Sequence, residues 1–280
     1  MMITVDIAKL RPWIGKDEVR HDVLSPGHAR LMAATLGLSP SGCAVGAPLP
    51  PLWHWIYFLD AAPPDQLGRD GHPMRGGFLP PVPLANRMWA GSRLVFHTPL
   101  PLGATVERRS RVESVEHKQG QSGELVFVTV LHEILLDGRV AISEHQDLVY
   151  KEPAPPGLIV ASPKVPEARH SKPFSPTSTT LFRYSALTFN GHRIHYDVDY
   201  CREVEGYANL VVHGPLNATL LAAFAEEITG RPVTAFSCRG VMPSLLGQAL
   251  TVNATPVDEH LALWIGLPDG KVGMTAKAFF

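Results

Sequence analysis

Twice along its 280 residues the chain runs through one order, an apolar helical stretch followed by about four strand-like runs joined by short turns. In the first half, residues 28–38 (HARLMAATLGL) have helical spacing with Gly37 near the end, and strand-like runs follow at 92–97, 105–117, 124–136 and 139–150. In 124–136, Leu125, Phe127 and Leu131 alternate with Val126, Val128 and Val130, the pattern of a strand covered on both faces, and Asp137-Gly138 then signals a tight hairpin. In the second half Pro215 opens a helix with Leu216, Leu220, Phe224 and Ile228 as its buried stripe and Gly230 as its stop. Runs at 233–238, 249–256, 260–267 and 272–279 follow. The class is α+β, either an antiparallel sheet wrapped around its helix in each half or an ordinary α+β sandwich.

Proline sets the boundaries. Residues 152–177 hold Pro153, Pro155, Pro156, Pro163, Pro166, Pro173 and Pro176, which remove backbone donors and disfavour a helix or central strand. The expected division is a first unit at 1–151, a connector at 152–177 and a second unit at 178–280. Another proline-rich stretch, from 47 to 83, brackets LWHWIYFLD and reads as a long extended excursion carrying aromatics that must pack on apolar surface.

With 25 Lys+Arg against 26 Asp+Glu, no global field gathers nucleic acid or an anionic membrane, so an anionic ligand needs local charges. Cys43, Cys201 and Cys238 are odd in number and lack ligand spacing, which argues for packing roles in a reducing compartment. Neither a signal-peptide pattern at the N-terminus nor a membrane-length apolar run is present, and a cytoplasmic location is the expectation.

Reactive side chains concentrate in 182–213, where Asn190, His192, His195, Asp197, Asp199 and His213 stand near Tyr184, Tyr196 and Tyr200. A polar run placed just before the most hydrophobic helix should lie over that helix's N-terminus, where free N–H groups favour negative charge. Gly214, just ahead of Pro215, lets a carbonyl approach its N–H, which makes it an oxyanion donor by position, or else merely permits a sharp turn. His195 can act as acid or base near neutrality. His192, His195, Asp197 and His213 could be imagined around a metal, but no HExxH or cysteine ligand supports one, and no metal is expected. Ser185 lies outside any GxSxG turn, and neither GxGxxG nor GxxxxGK[ST] occurs, so no covalent nucleophile or nucleotide cofactor is indicated.

The stretch YSALTFNGHRIHYD (184–197) followed by VEGYANLVVHGPL resembles the hydratase motif of MaoC-like hot-dog enzymes. The similarity is to the branch of hydroxyacyl-thioester dehydratase type 2 and mesaconyl/itaconyl-CoA hydratases. RPWIGK, PLWHWIYFLD, GFLPPVPLANRMWAG and EHQDLVY resemble that branch's first domain. The resemblance implies two fused hot-dog units, the first degenerate in catalytic residues and the second bearing the site, with an acyl-CoA thioester between them. Edge-strand pairing in such folds implies a homodimer or larger homo-oligomer. It further implies a hydro-lyase without cofactor, coenzyme A being part of the substrate.

The family pattern carries an Asp five residues before its catalytic His; here that position is Asn190, while the His is kept as His195. Asn190 cannot take a proton but can hold a water. The expected catalytic set is therefore His195, Asn190 and Gly214, with Asp197 or His192 orienting His195. The branch implies a short dicarboxylic enoyl-CoA, with Arg193 as the partner of its free carboxylate or else a solvent-facing or CoA-binding side chain. Tyr184, His192, Asp197, His213, Trp53 and Trp55 complete the expected substrate contacts, the aromatics as pocket walls or as core. A fatty 3-hydroxyacyl-thioester dehydratase, a hot-dog thioesterase and a non-catalytic thioester binder are the competing readings.

Overall fold

In the computed structural model, which describes residues 5–120, 123–153 and 162–280, ten strands pair in one antiparallel sheet. They are β1 (Asp17–Val23), β2 (Asn86–Phe96), β3 (Thr105–Gly120), β4 (Gly123–Leu136), β5 (Arg139–Lys151), β6 (His170–Phe174), β7 (Ala235–Gly240), β8 (Leu250–Val257), β9 (His260–Gly266) and β10 (Val272–Phe279). The order β1-β3-β4-β5-β2-β7-β10-β9-β8-β6 divides into two five-stranded halves. Gly91 to Val95 of β2 pair with Ala235 to Arg239 of β7 and join them.

The helices are α1 (Pro26–Thr35), α2 (Ser178–Leu187) and α3 (Gly214–Thr229), the last being the axis of the second half. α3 begins with Pro215 in its first turn, ends at Gly230 with φ 64°, and packs against β2 and β7 to β10. Its buried surface includes Leu216, Ala218, Leu221, Ala222, Phe224 and Ala225, while Leu220 and Ile228 of the expected stripe are only partly buried. Alanines let the strands approach closely, so the helix is enclosed on a broader and differently centred face than leucine spacing suggests.

The first half is built differently. α1 starts two residues earlier than expected and packs on α2 and on the aromatic turn Trp53–Ile56. In β4, Val126, Val128 and Val130 are fully buried, but Leu125, Phe127 and Leu131 are half-buried, so the strand is not equally covered on both faces.

Three elements stand where none was expected. β1 alternates exposed and half-buried residues at a sheet edge and carries no apolar alternation. β6 lies inside the expected 152–177 connector and pairs with β8 on the other edge; an edge strand tolerates Pro173. Residues 154–161 of that connector lie outside the described residues. α2 starts at a capping box of Thr177 with Thr180 and buries Leu181, Tyr184 and Leu187, the last two inside the segment read as a polar run.

Candidate active site

The motif histidine is fixed by the backbone. His195 ends the turn Arg193–His195, and its Nδ1 donates to the Val211 carbonyl at 2.7 Å, while Val211 N–H donates to Ile194 at 2.9 Å. A carbonyl can only accept, so the proton sits on Nδ1 and Nε2 carries a bare lone pair. Nε2 has no hydrogen-bond partner and is not among the sealed, unpartnered atoms, which leaves it the open group of the ring. Burial lowers the pKa of His195 to about 4, against the opposing effect of the Val211 bond. Neither Asp197 nor His192 orients it, contrary to the expectation.

His213 caps α3 and stacks on His195 at 3.6 Å between ring centroids, 19° from parallel. Its Nε2 meets Ser185 Oγ at 2.9 Å, its Nδ1 has no partner, and burial pushes its pKa well down. No acid stands behind this Ser–His pair among the described residues. Gly214 opens α3, and its N–H donates to no acceptor among the described residues. A Cβ there would come within 2.7 Å of the Trp89 ring, so only glycine fits.

Asn190 follows the end of α2, just after Phe189 at φ 48°, and its Oδ1 accepts from His192 N–H at 3.0 Å. That leaves the Asn190 amide nitrogen as the free polar group. Beside it the two halves touch at backbone level. Arg193 N–H donates to Asp70 O at 2.9 Å, and Gly71 at φ +87° lies so close to Gly191 that a Cβ would overlap the Gly191 carbonyl. This contact carries Asp70 and His72 into the site. His72 Nδ1 donates to Asp70 Oδ2 at 3.0 Å, and the His72 ring lies 4.2 Å from His192, which stands edge-on to His195 at 5.4 Å. Burial would raise Asp70, but the His72 contact holds it well below the carboxylate range. Burial lowers His72 more than Asp70 restores it, and His192 falls to about 2 through burial and the neighbouring imidazoles. Donor atoms of Asp70, His72 and His192 lie within 4.8 Å of one another, the group among the described residues that could hold a metal.

A cavity of about 820 Å³ opens against this cluster, lined by Trp55, His72 and Trp89 of the first half and Ser185, Asn190 and Pro215 of the second. Tyr184 lines it too, its ring 4.9 Å from His213. Its far wall holds Glu144, which accepts from His54 Nε2 at 2.9 Å, Trp55 Nε1 at 3.0 Å and Ser92 Oγ at 2.6 Å. Burial would raise Glu144, but His54 first, then the His132 imidazole and the Ser92 bond, hold it at about 2.

Of the expected substrate contacts Trp55 and Tyr184 line the cavity, whereas Trp53, His192, Arg193, Asp197 and His213 do not. Trp53 is buried in the core and does not line the cavity. Arg193 gives Nε and Nη2 to Asp197 Oδ2 at 3.0 and 2.7 Å, gives Nη1 to Arg69 O and lies over the Tyr200 ring, so three of its five N–H donors are engaged away from the cavity. Asp197 is spent on that pair and on capping Tyr200 N–H. Asp70, His72 and Glu144 were missed; the signal for the first two is a reactive Asp-Gly-His turn inside a stretch otherwise read as extended chain.

The family model for hydroxyacyl-thioester dehydratase type 2 matches residues 52–245, spanning both halves. The chain is 43% identical, over 94% of its length and 95% of the relative's, to the mesaconyl-C(4)-CoA hydratase of Chloroflexus aurantiacus. It is 29% identical to the mitochondrial hydroxyacyl-thioester dehydratase type 2 of Schizosaccharomyces pombe, covering 88% and 92%. A MaoC-like dehydratase from Phytophthora capsici superposes with a TM-score of 0.71 at 12% identity, covering 99% of both chains. A conserved hypothetical protein of Mycobacterium tuberculosis, described as a double hotdog fold, superposes at 0.61 with 15% identity, covering 95% of each. The fold is the double hot dog, and the class is a hydro-lyase of the MaoC-like hydratases and dehydratases. The chain belongs to the hydroxyacyl-thioester dehydratase type 2 family.

Proposed function

We propose that the protein adds water reversibly across the double bond of a short dicarboxylic enoyl-CoA, such as mesaconyl-CoA or itaconyl-CoA, to give a hydroxyacyl-CoA such as citramalyl-CoA. The observation that carries the chemistry is the tautomer of His195, whose Nδ1–H is spent on Val211 and whose Nε2 is a bare base. With mesaconyl-CoA, whose double bond is conjugated with the thioester, water held by the Asn190 amide N–H loses one proton to His195 Nε2 as its oxygen bonds to Cβ. The π pair moves to the thioester oxygen, which accepts from Gly214 N–H; the carbonyl then re-forms as the imidazolium returns its proton to Cα. Acid–base groups of the chain suffice for this cycle, and coenzyme A enters only as part of the substrate.

The substrate class is supported by the 43% identity to a mesaconyl-C(4)-CoA hydratase and by a cavity cation that Arg193 does not supply. Arg108 lines the cavity, its nearest carboxylate, Glu18, stands 3.5 Å away, and its buried Nε has no partner. That guanidinium suits a free carboxylate on the acyl group. The size of the cavity and its wall of Trp55, Phe58 and Phe182 favour a second reading, dehydration of longer 3-hydroxyacyl thioesters. Incubation with mesaconyl-, itaconyl- and crotonyl-CoA, following product mass and free thiol, separates them. Preferred hydration of the dicarboxylic thioesters is expected, with Arg108→Met lowering that preference about tenfold. Preference for crotonyl-CoA moves the function to the fatty-acyl reading, and thiol release contradicts both.

A further inference from the structure

The proposed hydratase cycle leaves one hydrogen of the attacking water without an acceptor, because Asn190 holds that water through its amide N–H while its Oδ1 accepts from His192 N–H. A second acceptor stands on the same part of the cavity wall. His72 lines the cavity, its loop is locked to the Asn190 segment by the Gly71–Gly191 contact, and its ring packs against His192. Nδ1 is given to Asp70 at 3.0 Å, and Nε2 has neither a partner nor a place among the sealed unpartnered atoms. The anionic carboxylate requires the proton on Nδ1, so Nε2 is an acceptor of fixed direction. A loop of 37 residues rich in proline needs a reason to place an Asp–His pair there, and packing alone requires neither the carboxylate nor the open nitrogen.

We propose that His72 is a further catalytic residue of this site, its Nε2 accepting a hydrogen bond from the water that adds to the substrate, with Asp70 as its positioning residue. The inference rests on the hydratase reading. One hydrogen of the water passes to His195 Nε2 as the C–O bond forms; the other stays on the new hydroxyl, hydrogen-bonded to His72. In the reverse direction His72 holds the hydroxyl hydrogen, which aims the oxygen lone pair at the proton that His195 delivers as the C–O bond breaks. No net proton remains on His72 in either direction. The pair thus contributes, from the other half of the chain, the acceptor that an amide at position 190 lacks.

The test compares wild type, His72→Ala, His72→Gln and Asp70→Ala on the dicarboxylic thioesters, each checked by thermal melting. A wild type that hydrates no enoyl-CoA refutes the hydratase reading itself. Given an active wild type, His72→Ala should lose about 100-fold in kcat with KM within about threefold. His72→Gln, whose amide oxygen still accepts, should recover part of that loss, and Asp70→Ala should lose about tenfold in kcat with KM unchanged. If His72→Ala does not fold, His72→Gln decides by a fall in kcat of at least about fivefold at unchanged KM. Wild-type kcat in the folded His72 variants, or a loss confined to KM, overturns the proposal. So does inactivation of wild type by EDTA that zinc restores, which would make Asp70, His72 and His192 a cation site.

Discussion

The two halves share a strand plan and divide the labour. In the second, a helix of 16 residues is enclosed by its strands, and its N-terminus presents Gly214 beside the stacked His195 and His213. In the first, α1 has 10 residues and its N-terminus is capped internally, Ser25 Oγ accepting from His28 N–H at 3.5 Å. The reactive helix end exists once. What the first half provides instead is the cavity wall of Trp55, Trp89, Arg108 and Glu144, and the loop carrying Asp70 and His72. A half that lacks the catalytic motif is therefore still part of the site, which the reading of it as degenerate understates.

This contrast can be broken at either side. Gly214→Ala strikes the second half: its Cβ would displace Trp89 and the helix end together. A fall of about 100-fold or more in kcat is expected from steady-state kinetics. Glu144→Ala strikes the first half by leaving the His54, Trp55 and Ser92 donors unpaired in a buried site. Urea titration should show a loss of about 3 kcal/mol, with a KM rise as Trp55 loosens. A stable Glu144→Ala variant with unchanged KM would mean that the wall does not depend on this carboxylate. Arg193→Ala should matter least, changing kcat/KM by no more than about threefold, because its donors serve Asp197 and a backbone carbonyl rather than the cavity. A loss of 100-fold there would restore Arg193 as the carboxylate partner.

Much of the strand order was legible because periodicity is a local signal. The expected run at 272–279 coincides with β10 (Val272–Phe279), and the Asp137-Gly138 turn sits between β4 and β5. β1 and β6 escaped because edge strands carry charge and proline in place of apolar alternation. In the site, the motif pointed to His195, Asn190 and Gly214; the structure places Asn190 on the cavity wall and stacks His195 on His213, the residue before Gly214. Asp70 and His72 reach the site through a backbone contact between residues 120 positions apart, Gly71 and Gly191, and no local pattern encodes such a contact. The orienting partner of His195 was hidden for a simpler reason, since a backbone carbonyl leaves no mark in the residue types.

The most direct test of His195 as the base is its replacement by Ala, with kcat/KM for mesaconyl-CoA hydration measured on protein whose thermal melting matches wild type. A loss of about 1,000-fold is predicted. A variant retaining activity within about tenfold of wild type would contradict the account and move the base to another residue of the cavity.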